Sequence, residues 1–238
     1  MSAVLTGQEV SEAVGGLGWR LLLDSVRTSV AVESLAAAAE VVARAVEVCG
    51  GEGERHLAAD VRPRQVLLSL QSPWCAGVTG ADIALARGIS AAVGGLGLRT
   101  VPQAGAGALR SVQVLEIAVD AADIAAVRPF WKAVLGYGDA AGADGPADAP
   151  ADGPEDPLAD PVGQGPSLWF QQMEPVRVGR NRIHLDVSVP HDEALRRVGA
   201  ALAAGGRMVS ADRAPAFWVL ADCEGNEVCV STWQGRDG

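Results

Sequence analysis

The feature that most constrains the fold is a pattern of strand, helix and further strands that occurs twice between residues 112 and 234. In the first copy, SVQVLEIAVD, AADIAAVRPFWKAVLGY and SLWFQQM are typical of a strand, a helix and a strand. In the second copy, NRIHLDVSVP, HDEALRRVGAALAAGG, AFWVLAD and NEVCVSTW are typical of a strand, a helix and two strands. Two copies in one order predict an internal structural repeat.

Residues 1–98 carry a different pattern, which is complete in itself. TGQE has the spacing of a capping box, and it is followed by the strand candidates WRLLL and VRTSVAV, an alanine-rich helix, the strand QVLLSLQ and a capped helix beginning at TGAD. This order predicts an α+β domain whose antiparallel sheet carries helices on one face. The segment RTVPQAGAGALR lacks any period and predicts a linker over residues 99–111, so a second domain should span residues 112–238.

Residues 138–166 contain mostly Gly, Ala, Pro and Asp and almost no large apolar side chain. A segment of this composition cannot bury enough apolar surface to order itself, so we expect a mobile acidic loop with a short strand near residues 158–162.

The net charge of -10, with a single lysine, argues against nucleic acid or an anionic membrane as a partner. The longest uncharged stretch, residues 65–81, has 17 residues and is shorter than the ~20 that span a bilayer. We therefore expect a cytoplasmic protein whose partner is a small molecule or another protein. Its four cysteines are too few for a disulfide scaffold and should be free thiols, which are more often buried apolar groups than metal ligands.

The second domain resembles the glyoxalase-like branch of the vicinal-oxygen-chelate (VOC) superfamily. FWKAVLGY, PSLWFQQMEPVRVGRNRIHLDVSV and ADCEGNEVCV carry the resemblance, in that order. It implies paired β-α-β-β-β modules that form a half-open barrel and hold a ligand in the hollow. Metal-dependent members place ligands at three positions, which correspond here to Glu116, His184 and Cys229, the last in place of a common glutamate. Glu, His and Cys can each bind a divalent metal, and zinc is one metal that accepts all three donor types.

His184 alternates with Ile183 and Leu185, so its side chain lies on the strand face opposite theirs. If that face lines the hollow, His184 serves with Glu116 in catalysis or metal binding. Otherwise it is a hydrogen-bonded polar residue of a strand without a chemical role.

The first domain resembles the pterin-4a-carbinolamine dehydratases over about residues 4–94, through GWR and VLLSLQSPWCAGVTGADIALARGISAAV. That family removes water from a carbon bearing a hydroxyl group and a ring nitrogen, with imidazoles as the acid and the base. Its paired histidines correspond to Arg55 and His56, and its third histidine to Pro73. The active site is therefore degenerate: His56 alone can transfer a proton, Arg55 could hold an anionic or carbonyl oxygen, and Trp74 could stack on a flat ring.

Aromatic side chains of the second domain suggest a ligand slot. Trp169 and Gln171 share one face of their strand, and Trp218 opposes Phe217 on another. Trp169 and Trp218 turned inward with Gln171 would form a flat slot with one amide anchor. A core-filling role is the alternative for any such tryptophan.

Three functions remain open. The chain is a two-domain lyase or isomerase acting on a cyclic or carbonyl metabolite, or it sequesters a planar compound without altering it, or one or both domains serve oligomerisation. Free sheet edges, and the oligomers common in both resembled families, lead us to expect a homodimer.

Overall fold

The computed structural model describes residues 3–75, 77–104, 110–139, 157–174 and 183–235. Most of the predicted acidic loop, residues 140–156, lies outside the described residues. The chain divides into two compact units, and the change from the first to the second falls between Val114 and Leu115. None of the helices in these ranges combines the length and the apolar character needed to cross a bilayer.

The first unit has three α-helices, α1 to α3, which span Gly7–Val14, Leu35–Gly53 and Gly80–Gly95. Its strands β1 to β7 span Arg20–Leu22, Ser25–Ala31, Leu57–Arg62, Gln65–Leu70, Thr100–Val101, Gln103–Ala104 and Arg110–Ser111. The capping box predicted at TGQE is present, because Thr6 accepts from the backbone of Glu9 while the Glu9 carboxylate accepts from the backbone of Thr6.

The predicted antiparallel sheet is present in the first unit, with strand order β1-β2-β4-β3 and β5 added beside β2. The three helices cover the sheet face of Val26, Val30 and Leu68, with which their apolar residues form one buried cluster. The helices therefore lie on one face, as the order of the elements predicts.

The sequence pattern missed strand β3. Its residues after Leu57 are all exposed, and it pairs through one edge only, with β4. An edge strand that buries neither face has no apolar alternation, which is the signal that identifies strands from sequence.

Part of the predicted linker belongs to the first unit. Thr100 and Val101 pair with β2, and Gly18 packs against the same segment. A Cβ on Gly18 would lie 2.1 Å from the Thr100 carbonyl oxygen, and the φ of Gly18 is +82°. Only glycine fits this left-handed turn and close approach, which sets the adjacent Trp19 fully into the core.

The second unit has helices α4 and α5, which span Ile124–Leu135 and Ala194–Ala203. Its strands β8 to β15 span Glu116–Ala121, Gly138–Asp139, Leu158–Ala159, Ser167–Gln172, Leu185–Ser188, Arg207–Ser210, Phe217–Ala221 and Glu227–Ser231.

The predicted internal repeat is present in the second unit. Strands β8 to β11 form one four-stranded sheet in the order β8-β11-β10-β9, and β12 to β15 form another in the equivalent order β12-β15-β14-β13. In each sheet the first strand pairs parallel with the last, and the other pairs are antiparallel. The described residues thus form two mixed sheets rather than a closed barrel.

Helices α4 and α5 pack on the apolar sheet faces, and one buried cluster includes residues of both modules. The turn between β14 and β15 also joins the modules. Trp131 donates its indole N–H to the buried Asp222 at 3.0 Å, while Glu224 accepts from the backbone N–H groups of Ala122 and Asp123. These bonds tie the β14–β15 turn to the start of α4 and, through Trp131, to its middle.

Candidate functional site

The candidate site of the second unit lies on the face of the second sheet that points away from the helices. Leu185 and Val187 of β12 pack toward the core, so His184 and Asp186 lie on the other face. The parallel register places Asp186 beside Cys229 of β15. The alternation predicted for this strand therefore holds, and it brings His184 to Cys229.

Three potential metal ligands meet at this point. His184 Nδ1 lies 3.7 Å from Cys229 Sγ and 3.7 Å from Asp186 Oδ1. The ligand atoms of the three residues all lie within 4.8 Å of one another. The imidazole is 47% exposed and the carboxylate 63%, whereas Cys229 is only 7% exposed. A buried sulfur below two exposed donors leaves the outer side open to a ligand.

Glu116 is not part of this cluster in the described structure. It opens β8 in the first sheet, where its carboxylate accepts a hydrogen bond from Ser167 Oγ at 3.0 Å. The alternation of β8 places Glu116 on the face away from the helices, since Ile117 and Val119 pack on the core. Of the three ligands implied by the resemblance, the structure joins His184 and Cys229 and adds Asp186.

The predicted aromatic slot is not assembled. Trp169 and Gln171 lie on the outer face of the first sheet, since Leu168 and Phe170 fill the core. Trp218 lies in the core, 8% exposed, because β14 turns Trp218 and Leu220 rather than Phe217 toward the helices. Trp169 therefore lies on an outer sheet face, whereas Trp218 lies on a face that packs against the helices.

A second polar cluster lies inside the first unit, around His56. His56 is 7% exposed, and its Nδ1 lies 2.7 Å from Oδ1 of Asp82, which is fully buried. The other carboxylate oxygen of Asp82 accepts from Ser72 Oγ at 2.7 Å and from the backbone N–H of Thr79 at 2.7 Å. With Asp82 accepting at Nδ1, the neutral imidazole carries its proton there and leaves Nε2 as the acceptor.

Trp74 stands edge-on to His56, with ring centroids 4.8 Å apart and planes at 84°. Its indole nitrogen is buried without a hydrogen-bond partner among the described residues. Arg55 precedes His56 in a short 3-10 helix and is exposed. Burial, and then the charge of Asp82, raises the pKa of the nearby Cys75 thiol, so Cys75 is not an activated nucleophile. The structure thus joins His56 and Trp74 but leaves Arg55 at the surface.

Two acidic residues of these clusters were not predicted as functional. Asp186 lies two residues after His184 on the same strand face, and that spacing was a usable signal. Asp82 was identified from the sequence as a helix cap, which it is, but the cap spacing gives no indication that it also binds His56. The structure describes all four cysteines, and no disulfide joins any of them, as expected.

Residues 116–231 match the family model of the glyoxalase-like domain, so the second unit is a glyoxalase-like domain. Similar solved structures include a glyoxalase/bleomycin resistance protein/dioxygenase family enzyme from Burkholderia phytofirmans PsJN. It is 19% identical, with a TM-score of 0.37 over 49% of this chain and 95% of that chain. The fosfomycin resistance protein FosX from Mesorhizobium loti is 10% identical, with a TM-score of 0.39 over 51% and 92%.

The first unit has a weaker counterpart, a transcriptional coactivator/pterin dehydratase from Brucella melitensis. It is 25% identical, with a TM-score of 0.34 over 38% of this chain and 98% of that chain. No curated protein matches the chain.

Proposed function

We propose that the second unit is a metal-assisted lyase or isomerase that acts on a cyclic or carbonyl metabolite at the outer face of its second sheet. The observation that carries this proposal is the convergence of His184, Asp186 and Cys229. Strand register and alternation bring three donors of different chemistry close enough to share one divalent ion.

The spacing of the donors fits zinc. With Zn–S near 2.3 Å and Zn–N near 2.0–2.1 Å, a tetrahedral ion separates its sulfur and nitrogen ligands by about 3.6 Å. The observed distance between Cys229 Sγ and His184 Nδ1 is 3.7 Å. Thiolate and imidazole are softer donors than those typical of magnesium or calcium sites, and three protein ligands leave a fourth position for a ligand.

His184, Asp186 and Cys229 would hold a divalent ion at the outer face of the second sheet. A bound divalent ion would supply Lewis acidity toward a carbonyl oxygen of the substrate. Glu116 is the proposed proton-transfer group. It lies on the outer face of the first sheet, and a half-open barrel of the kind that the resemblance implies would turn both outer faces toward one hollow. Its carboxylate already accepts a hydrogen bond from Ser167, so its orientation is fixed.

Zinc binding is the first test. The unmodified protein should bind one zinc ion, and His184→Ala should weaken binding by at least about 100-fold, because a ligand substitution costs no less than the loss of an outer-shell partner. Isothermal titration measures the affinity, and the thiolate absorption of the cobalt(II) form reports Cys229 independently. His191→Ala is the matched control, since His191 contacts Trp233 instead of the cluster. Absence of zinc binding, or equal affinity in His184→Ala, would contradict the proposal.

Sequestration is the alternative for the same unit, and Trp169 favours it, because this half-buried indole lies on the outer face beside Gln171. A screen of pterins, aldehyde-glutathione adducts and aromatic antibiotics by thermal shift, with and without zinc, finds ligands by mass action. An enzyme predicts that His184→Ala abolishes turnover of the ligand found. A sequestering protein predicts that His184→Ala leaves its affinity nearly intact.

A second candidate activity belongs to the first unit, and the bond between His56 and Asp82 supports it. We propose that the unit retains weak dehydration of a carbinolamine. The substrate loses the proton on its ring nitrogen to the imidazole, the C=N bond forms as the C–O bond breaks, and the departing hydroxyl group takes that proton back from the imidazolium and leaves as water. His56 Nε2 takes the nitrogen proton, Asp82 holds the ring through Nδ1, and Trp74 contacts the flat substrate ring.

This activity should depend on one imidazole. His56→Gln should slow dehydration of a pterin-4a-carbinolamine by about 10²-fold or more, because one positioned proton-transfer group contributes 10² to 10⁴ in rate. Absorbance after stopped-flow mixing follows the reaction, and His191→Gln is the control that should retain the full rate. An unmodified protein that does not exceed the uncatalysed rate would exclude the activity. Equal rates in His56→Gln and His191→Gln would show that His56 takes no part in the dehydration.

A further inference from the structure

A second polar pair lies on the same sheet face as the proposed zinc ligands. Ser188 of β12 and Ser231 of β15 are register partners, and their hydroxyl oxygens are 3.0 Å apart. Neither the proposed metal site nor the core uses them. Ser231 is 1% exposed, whereas Ser188 is exposed, so the pair can be approached from the Ser188 side.

The spacing of residues along β12 and β15 sets the distance between the serine pair and the metal ligands. Ser188 and Ser231 each lie two residues beyond Asp186 and Cys229, on the same face of parallel neighbours. Two residues of a strand span about 6.6 Å. The serine pair therefore lies about 6.6 Å along the strands from the metal ligands, a distance that a small molecule can span.

The hydrogen-bonding capacity of the pair is only partly used. One hydroxyl group donates to the other, which leaves a second hydroxyl proton and several lone pairs. Because Ser231 is buried and Ser188 is exposed, the remaining capacity of Ser188 is directed to a bound molecule or to water. The pair can thus donate to, or accept from, a polar group of a ligand.

The surface beside the metal ligands and the serine pair is apolar. Phe217 and Val219 of β14 pair with Ser231 and Cys229, so they share the outer face with the serine pair and the metal ligands. Both are half-buried, and neither belongs to the buried core cluster. Phe217 and Val219 therefore provide hydrocarbon surface beside the region between the metal ligands and the serine pair.

We propose that Ser188 and Ser231 form a second ligand subsite, which rests on the proposed metal-assisted function and narrows its substrate class. The substrate has a metal-binding oxygen at one end and a hydroxyl or carbonyl group about 6–7 Å away. The hydrocarbon between these groups, a short chain or a single ring, lies against Phe217 and Val219. A compound with a purely apolar far end is discriminated against, because it leaves the exposed Ser188 without a partner and excludes its water.

Two hydroxamates test the subsite on the zinc-loaded full chain. One is a pentanohydroxamate with a terminal hydroxyl group, and the other is the hexanohydroxamate that carries a methyl group in its place. The hydroxyl compound should bind about 5- to 10-fold more tightly, since a neutral hydrogen bond contributes about 1 kcal/mol. Ser188→Ala should abolish this preference and leave zinc affinity unchanged. Ser188→Thr should retain the preference, because its hydroxyl group remains.

Two further variants separate the contributions. Phe217→Ala should weaken both hydroxamates by a similar factor and leave their ratio intact. Ser210→Ala, which removes a serine from edge strand β13 outside the pair, should change neither affinity nor ratio. Zinc binding without a preference for the hydroxyl compound, or a preference that survives in Ser188→Ala, would overturn the subsite alone. Failure of the unmodified protein to bind zinc would overturn the metal-assisted function together with it.

Discussion

Replacement of Asp82 by alanine should lower the free energy of unfolding of the first unit by about 3 to 5 kcal/mol, because each buried donor left without its acceptor costs about 1 to 3 kcal/mol and the lost helix cap about 1 kcal/mol more. Asp82 is fully buried and accepts hydrogen bonds from His56, Ser72 and Thr79, the last through both its backbone N–H and its hydroxyl group. The variant leaves His56 Nδ1 and the backbone N–H of Thr79 buried without an acceptor and also removes the capping box of α3.

Hydrogen exchange of the α3 and β4 amides as a function of urea measures this change in the first unit specifically. Asp82→Asn keeps one acceptor oxygen and should lose less stability. Asp60→Ala is the control, because Asp60 pairs with Arg62 at the surface and such pairs contribute about 0 to 1 kcal/mol. A loss in Asp82→Ala no larger than in Asp60→Ala would show that the buried network does not stabilise the unit.

Phe130→Ala should destabilise the second unit by about 3 to 5 kcal/mol, the usual cost of removing a buried phenyl ring. Phe130 is fully buried on α4 and meets Trp131 edge to face, with ring centroids 5.6 Å apart. Gly206, just after α5, provides the space for the ring, because a Cβ there would lie 2.3 Å from it. The ring therefore fills a space that only glycine leaves open, and its removal creates a cavity between the modules.

Hydrogen exchange of the β11 and β15 amides reports this loss, since both strands pack against the helices. Leu195→Ala is the control. It removes a large apolar side chain from α5 that is 70% exposed, so stability should change by no more than about 0.5 kcal/mol. Similar losses in the two variants would show that the phenyl ring has no special packing role.

Local patterns in the sequence were sufficient for much of the second unit. The repeated order of elements predicts the strand-helix-strand pattern of both modules but misses the short strands β9 and β13. The alternation of β12 predicts that His184 and Asp186 share a face opposite Leu185. These are properties of neighbouring residues, because successive side chains of a strand point to opposite faces whatever the strand packs against.

Contacts between distant segments could not be predicted from the sequence. The bond from His56 to Asp82 joins residues 26 positions apart, and β3 forms only because β4 offers it an edge. Spacing within an element carries no signal for such contacts. The exposed strand β3 also lacks the apolar face that would have identified it.

Trp218 separates the two kinds of information most clearly. The sequence alone established that Trp218 and Phe217 point to opposite sides of β14, and likewise that Trp169 and Phe170 do so on β11. Which side meets the helices was decided only by tertiary packing, which buried Trp218 but left Trp169 on the outer face. Backbone geometry fixes the alternation of side chains along a strand. Which of the two faces is buried depends on where the helices pack, and the helices contribute residues that are far from the strand in the chain.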